Sequence, residues 1–339
     1  MKHIFYLHSN ICVIAAYDTI ERCVNEGNRV VVISNRNTAF SFFRGKIEFH
    51  DIQPITDKYR GNKKNPIAKL LDYKYNFLPH FDESAKAIIN DEDFMLYTPS
   101  YNLFIVKPYL TSRHMKGYYF LEEGTMSYMS YDSLKEKYYK RRYLKGRLIS
   151  GLFGVGESLD FKVTSLFRGC ICLSPLAFPW CNEQKIVNST GGYMEAMNSC
   201  PLSFDHFIVS DYLRDPIEMV LKGMRLILGN IQKANPDASV AIKFHPTAFS
   251  YEKEKIEAIK SVIAMDFNSL DIAFLPAQYS VESTLFESKT NLYSFFALSS
   301  LSLYSLLFGS RSFYVDTIGE YQIREIPTVE DFFCLTYKK

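Results

Sequence analysis

Apolar and polar positions along the chain alternate between two periods. Ile4 to Leu7 is a short apolar run that predicts a first strand. From Ile11 to Glu26 the residues Ile11, Ile14, Ala15, Ile20, Cys23 and Val24 recur at helical spacing, and Gly27 follows where a helix-terminating glycine belongs. Arg29–Ser34 is an apolar run of the kind found in parallel strands buried on both faces. This strand–helix–strand opening implies a right-handed crossover. A polar, mixed stretch follows from Phe40 to about Lys64. Ala68–Asn90 predicts helical segments broken at Pro79, Phe94–Tyr97 a strand, Asn102–Arg113 a helix containing Pro108, and Gly117–Leu121 another strand.

The alternation continues in the second half. Phe161–Leu173 is strand-like and stops at Ser174-Pro175. The stretch from Phe178 to Cys200, with Gly191-Gly192, predicts an irregular crossing between domains. Strands are predicted at His206–Ser210, Ala238–Phe244, Leu270–Leu275 and Asn291–Phe296. Helices are predicted at Pro216–Gln232, Tyr251–Met265, from Val281 onward, and at Leu301–Phe308. Pro327–Phe333 predicts a short capped helix packing back across the two halves. Strands alternating with helices predict an α/β protein with mainly parallel sheets. The expected domains are 1–173 and 174–339, a comfortable division for 339 residues.

Composition narrows the function classes. Hydrophobic residues make up 47% and charged residues 22%, which is enough to bury a core. A formal charge of +2 provides no global field for nucleic acid, so no nucleic-acid partner is expected. Aromatics reach 15%, which suits an aromatic core before a sugar-binding surface. Seven cysteines show no Cys-x-x-Cys spacing, and Cys170 and Cys172 fit one strand face; scattered thiols suit a reducing cytosol. The apolar run within Met1–His8 is too short for a secretory signal, and no apolar run is long enough to span a bilayer. A cytoplasmic protein is expected, with any membrane contact peripheral at the inner face of the membrane. The basic, aromatic-interleaved segment Lys135–Arg147 beside Leu148-Ile149 is the feature that would make that contact; a solvated helix with paired charges is the plainer reading of it.

Three short constellations carry candidate chemistry. Val240, Ile242 and Phe244 alternate into His245-Pro246; the proline ends the strand and leaves His245 extended at its carboxyl end, where open α/β sheets bind ligands. An imidazole there can donate to a phosphate or pass a proton. Glu122-Glu123-Gly124 follows the strand ending at Leu121. Neighbours on a strand point to opposite faces, so one carboxylate can face a ligand as general base while the sheet holds the other. The sequence leans slightly to Glu122 and leaves Glu123 open. Ser299-Ser300 falls at a strand-to-helix turn, as an anion site or an ordinary N-cap. The turn His8-Ser9-Asn10 lacks a dinucleotide fingerprint. Asp91-Glu92-Asp93 has the spacing of a metal motif but precedes a strand, which is the wrong end.

The ordered trio Glu122-Glu123-Gly124, His245-Pro246 and Ser299-Ser300 resembles the short motifs of bacterial sialyltransferases. The stretch from Pro276-Ala277 to Glu282 is similar to the segment between the last two motifs in family 52 glycosyltransferases and capsular polysialyltransferases. The resemblance implies a GT-B fold, two Rossmann-like α/β domains facing across a cleft, with the second binding the donor. It implies inverting, metal-independent transfer of sialic acid or a related nonulosonic acid from a CMP-activated donor. No cofactor is expected. The acceptor would be a bacterial surface glycan such as lipooligosaccharide, O-antigen or capsule. Glu122 or Glu123 would be the base, with Gly124 beside it. His245, followed by Pro246, would act on the leaving phosphate, and Ser299 and Ser300 would hold it. Glu282, after Pro276, would reach the ribose, and Ser283-Thr284 is a rival for the serine pair. Lys243 and Arg113 are candidate neighbours of the donor's charges. Other GT-B transferases, such as a CMP-Kdo transferase, and a non-catalytic glycan-binding or assembly protein of the same fold are the competing classes.

Overall fold

The structure, a computed structural model, describes residues 1–34, 45, 47–52, 75, 78–101, 103–139, 161–197, 203–210, 216–245, 252–276, 279–287, 289–295, 299–316 and 321–337. The chain forms two compact units, Met1–Asn198 and Ser199–Lys339.

In the first unit, strands β1 (Lys2–Tyr6), β2 (Arg29–Ser34), β3 (Glu48–Asp51), β4 (Phe94–Thr98), β5 (Met115–Leu121), β6 (Phe167–Cys172) and β7 (Lys185–Val187) form one sheet. Their order is β3-β2-β1-β4-β5-β6-β7, and every pairing is parallel. β1 and β4 are buried along their whole length, and the apolar residues Ile4–Tyr6 and Phe94–Tyr97 are the part of them that reads from the sequence, while Lys2 and His3 of β1 are buried polar residues. The first helix, α1 (Asn10–Asn25), is capped by Ser9 and ends before Gly27 at φ 73°. Helix α2 (Leu78–Ile89) carries Pro79 as its second described residue; residues 76 and 77 before it lie outside the described residues. Pro108 lies in the first turn of the short α3 (Lys107–Leu110), which follows a 3₁₀ turn at Phe104–Val106. The buried Lys2 ammonium donates to the Ile88 and Ile89 carbonyls, 2.8 Å each, and caps the end of α2.

Helix α4 spans Tyr131–Tyr139. The rest of the basic segment, residues 140–147, lies outside the described residues. No helix among the described residues is long and apolar enough to cross a membrane.

The first unit runs 25 residues beyond the expected boundary at 173. β7 joins the sheet beside β6, and Asn188 Nδ2 donates to the Ala15 carbonyl of α1 at 2.7 Å. Gly191-Gly192 opens a helix, α5 (Gly191–Met197), and not an irregular crossing. The glycines permit its close approach to α1, because a Cβ at Gly192 would stand 2.9 Å from Asp18 Oδ1.

The second unit contains β8 (His206–Ser210), α6 (Ile217–Ala234), β9 (Ser239–Phe244), α7 (Lys253–Asp266), β10 (Asp271–Phe274), α8 (Val281–Glu287), β11 (Asn291–Phe295), α9 (Ser300–Leu307), β12 (Arg311–Asp316), β13 (Gln322–Ile326) and α10 (Val329–Tyr337). Its sheet order is β10-β9-β8-β11-β12-β13, parallel except for the antiparallel edge strand β13. Alternate residues of each strand face opposite layers. Ile208, Val240, Ile242 and Phe244 pack on the side of α6 and α7, with Val220, Met224, Ile227, Ile256 and Ile259. Phe207, Val209, Ala241 and Leu292 pack on the other side with Val281 and Leu285 of α8. Each such side chain contributes roughly 1.5–3 kcal/mol by leaving water. The C-terminal helix α10 packs on α9 and β13 of its own unit.

Candidate active site

Both sheets reverse their strand order once near the middle, between β1 and β4 in the first unit and between β8 and β11 in the second. In such sheets ligands bind outside the carboxyl ends of the strands at that reversal.

In the first unit, β1 ends in Leu7-His8, and Ser9 then caps α1, its hydroxyl accepting from Cys12 N at 3.3 Å. On the other side of β4, β5 runs into Glu122, whose N–H donates to the Ile171 carbonyl of the neighbouring strand at 2.9 Å. Glu122 is fully buried. Its Oε1 accepts from the Tyr128 hydroxyl at 2.6 Å, and its Oε2 from Leu173 N at 2.7 Å. Burial and the adjacent Glu122 carboxylate both push the Tyr128 phenol upward, so it remains the donor.

Glu123 differs. Its side chain is 28% exposed, and its Oε1 accepts from His8 Nε2 at 2.9 Å. The lean towards Glu122 as the outward-facing carboxylate is thereby reversed: the sheet holds Glu122 and turns Glu123 out. The backbone of the motif is held locally, with Glu123 N donating to Ser127 Oγ at 3.1 Å and Ser127 N to the Gly124 carbonyl at 3.0 Å. Gly124 sits at φ 148°, ψ −151°, a conformation essentially reserved for glycine. Gly124→Ala is expected to cost about 1–3 kcal/mol of stability. A urea titration checks this, and an unchanged midpoint would mean that the turn relaxes without strain.

His8 was passed over in the sequence because its turn carries no glycine fingerprint. The available signal was positional: it leaves the first strand of a doubly wound sheet. Its ring stacks on Tyr6, centroids 5.6 Å apart, with Nδ1 3.8 Å from Cys12 Sγ. Burial disfavours the imidazolium, but Cys12 and Glu123 outweigh it and raise the His8 pKa to about 10.

In the second unit, His245 extends β9 by one rung, its N–H donating to the Ser210 carbonyl at the end of β8 at 2.9 Å. Its side chain is half-buried. Pro246 lies outside the described residues. Lys243, two residues earlier and so on the same face, is buried and donates to the Pro276 carbonyl at 2.5 Å. Burial lowers its pKa to about 8, against the opposing pull of Glu282. Pro276 is exposed after β10, and Glu282 lies in the first turn of α8, accepting from Ser280 Oγ at 3.1 Å. Its neighbours Ser283 and Thr284 are buried in α8; Thr284 Oγ1 is 2.7 Å from the Tyr279 hydroxyl.

Ser299 follows β11 as the N-cap of α9, its Oγ accepting from Leu301 N at 3.2 Å. Ser300 is the first helical residue. Capping engages a lone pair of the Ser299 hydroxyl and leaves its O–H free to be donated. His245 and Ser299-Ser300 thus stand at the same edge of one sheet, beside the reversal.

Other candidates fall at the opposite edge. Arg113 precedes β5, at the amino end of that strand. Asp91-Glu92-Asp93 precedes β4; Lys116 pairs with Asp93 at 3.0 Å, and Lys2 and Arg29 pair with Glu92 at 3.1 and 2.6 Å. Lys2, Arg29, Asp91, Glu92, Asp93 and His114 line an open hollow of about 640 Å³ at the amino ends of the strands.

No known family profile matches the chain, and no curated protein matches its sequence. Solved structures do match in fold. A sialyltransferase from Photobacterium damsela aligns with 98% of this chain and 79% of its own at 11% identity and a TM-score of 0.53. S. aureus MnaA, in a co-structure with UDP, aligns over 98% and 86% at 11% identity and 0.51. The UDP-GlcNAc 2-epimerase of Neisseria meningitidis, bound to UDP-GlcNAc, aligns over 94% and 83% at 11% identity and 0.50. The fold is of the GT-B type. At these identities the likeness describes architecture, and function must be argued from the residues.

Proposed function

We propose that this chain is an inverting glycosyltransferase that moves sialic acid, or a related nonulosonic acid, from a CMP-activated donor to a hydroxyl of a bacterial surface glycan. The observation that carries this reading is the placement of the three motifs. Though separated along the chain, each stands at the carboxyl end of a strand at or next to a reversal of strand order. The first unit supplies the base and the second the donor-binding groups.

In this reading Glu123 takes the proton of the acceptor hydroxyl as its oxygen bonds to the anomeric carbon. The bond from that carbon to the phosphate oxygen breaks, and its electron pair leaves with CMP. Attack opposite the leaving group inverts the centre. His245 donates a hydrogen bond or a proton to the departing phosphate. Ser299, Ser300 and the N-terminus of α9 hold that phosphate with hydroxyl and backbone donors. Glu282 reaches the ribose, and Glu122 holds the base's turn in place.

The fold likeness to proteins bound to UDP and UDP-GlcNAc favours a UDP-sugar as the second reading. A screen of CMP- and UDP-activated sugars for nucleotide release, with and without galactose-terminated acceptors, separates the two. Acceptor-dependent CMP release is expected; release of UDP alone would replace the donor assignment, and no release from any donor would favour a binding or assembly protein. Transfer is also expected to survive EDTA, because the acidic run at Asp91–Asp93 is paired with cations at the amino edge. Loss of activity on chelation, restored by magnesium or manganese, would overturn the metal-independent mechanism.

A further inference from the structure

The contact between His8 and Glu123 links the ends of β1 and β5 past the end of β4, directly at the strand reversal. We propose that His8 is a positioning residue for the base: it holds the Glu123 carboxylate in one orientation and keeps it ionised ahead of proton transfer. The inference rests on reading Glu123 as the base.

The ring of His8 is constrained by three elements. Tyr6 of β1 stacks on it with an interplanar angle of 5°. Cys12 of α1 faces Nδ1, and Cys12 is itself fixed, its N–H donating to Ser9 Oγ and its sulfur accepting from that hydroxyl at 3.1 Å. Glu123, in the turn after β5, takes Nε2–H. A side chain constrained on these sides restricts the carboxylate it binds, so Glu123 meets an acceptor already oriented.

Charge points the same way. Among the described residues, Cys12, Glu123 and the neutral Tyr6 ring act on the imidazole. Burial alone would neutralise the ring, yet its pKa lies near 10, so it is cationic through the neutral range. A cation at 2.9 Å favours the ionised carboxylate. Burying an imidazolium is a poor way to gain stability compared with an apolar side chain of similar size. Its presence at the reversal therefore points to the chemistry.

Two measurements test this. The first follows the His8 imidazole by nitrogen-15 NMR across pH in the wild type and in Glu123→Gln, and needs no substrate. The wild-type ring should stay protonated to about pH 10 and titrate at lower pH when the carboxylate is removed, with Cys12 still raising it. Because the folded state holds this proton more tightly, His8 stabilises the fold fully below about pH 6.5, and that contribution is lost as pH rises through about 10. A ring titrating at the same pH in both proteins would overturn the proposal.

The second measures kcat and KM from pH 5 to 10 for His8→Gln, with CMP-N-acetylneuraminic acid as donor and lactose as acceptor. The expected result is a fall in kcat of about 10- to 100-fold, unchanged donor KM, and an acid limb moved to higher pH. A wild-type kcat and acid limb in His8→Gln, with Glu123→Gln inactive, would sink this inference alone. An active Glu123→Gln would instead sink the base assignment. If His8→Gln fails to fold, the NMR comparison decides by itself.

Discussion

Replacing Glu123 by Gln is expected to cut transfer sharply, whereas Glu122→Gln is expected to spare the chemistry and weaken the fold. Gln matches Glu in size and hydrogen-bonding reach but cannot accept the acceptor's proton. A general base contributes about 10²- to 10⁴-fold, so kcat should fall by that factor while the CMP donor still binds. Glu122 is a different case. Both its oxygens accept, from Tyr128 and Leu173, and it is wholly buried. Gln offers one acceptor and turns an NH₂ group towards the other donor, which should cost about 1.5–3 kcal/mol. Transfer rate, donor affinity and urea midpoint for both variants separate the roles. Full transfer in Glu123→Gln would remove it as the base. Full transfer in both would leave the acidic motif without a catalytic part.

The second large effect is expected at His245. Its backbone, not its ring, continues the sheet through the bond to the Ser210 carbonyl. His245→Ala keeps that bond, so the variant should fold normally. On the proposed reading it would lose the donor to the leaving phosphate, worth about 10²-fold or more in kcat. The loss should shrink with a donor whose leaving group needs less help, such as a sialyl donor carrying an activated aryl leaving group. Near-normal turnover with the CMP donor in folded His245→Ala would end the assignment.

The strands that read clearly in the sequence are those covered on both faces, such as β1, β2 and β4, where burial demands an unbroken apolar run. β3, β7 and β13 did not read. All three are edge strands, half exposed, and their mixed residues carry little periodicity. Helix starts were legible where a cap marks them, as Ser9 does for α1 and Ser299 for α9. Gly191-Gly192 read as a loop. Local propensity disfavours glycine in helices, and only the approach of α1 explains it there.

The sequence by itself determined the α/β alternation and the standing of each motif at a strand's carboxyl end. Those features depend on apolar period and on Pro and Gly punctuation, both local in the chain. The different surroundings of the two carboxylates in the acidic pair were decided only by tertiary structure. Glu122 is filled by donors 6 and 51 residues away, and Glu123 meets a histidine 115 residues away. Two adjacent carboxylates have the same local chemistry, and what separates them is which distant backbone N–H, hydroxyl or imidazole the parallel sheet brings to each face.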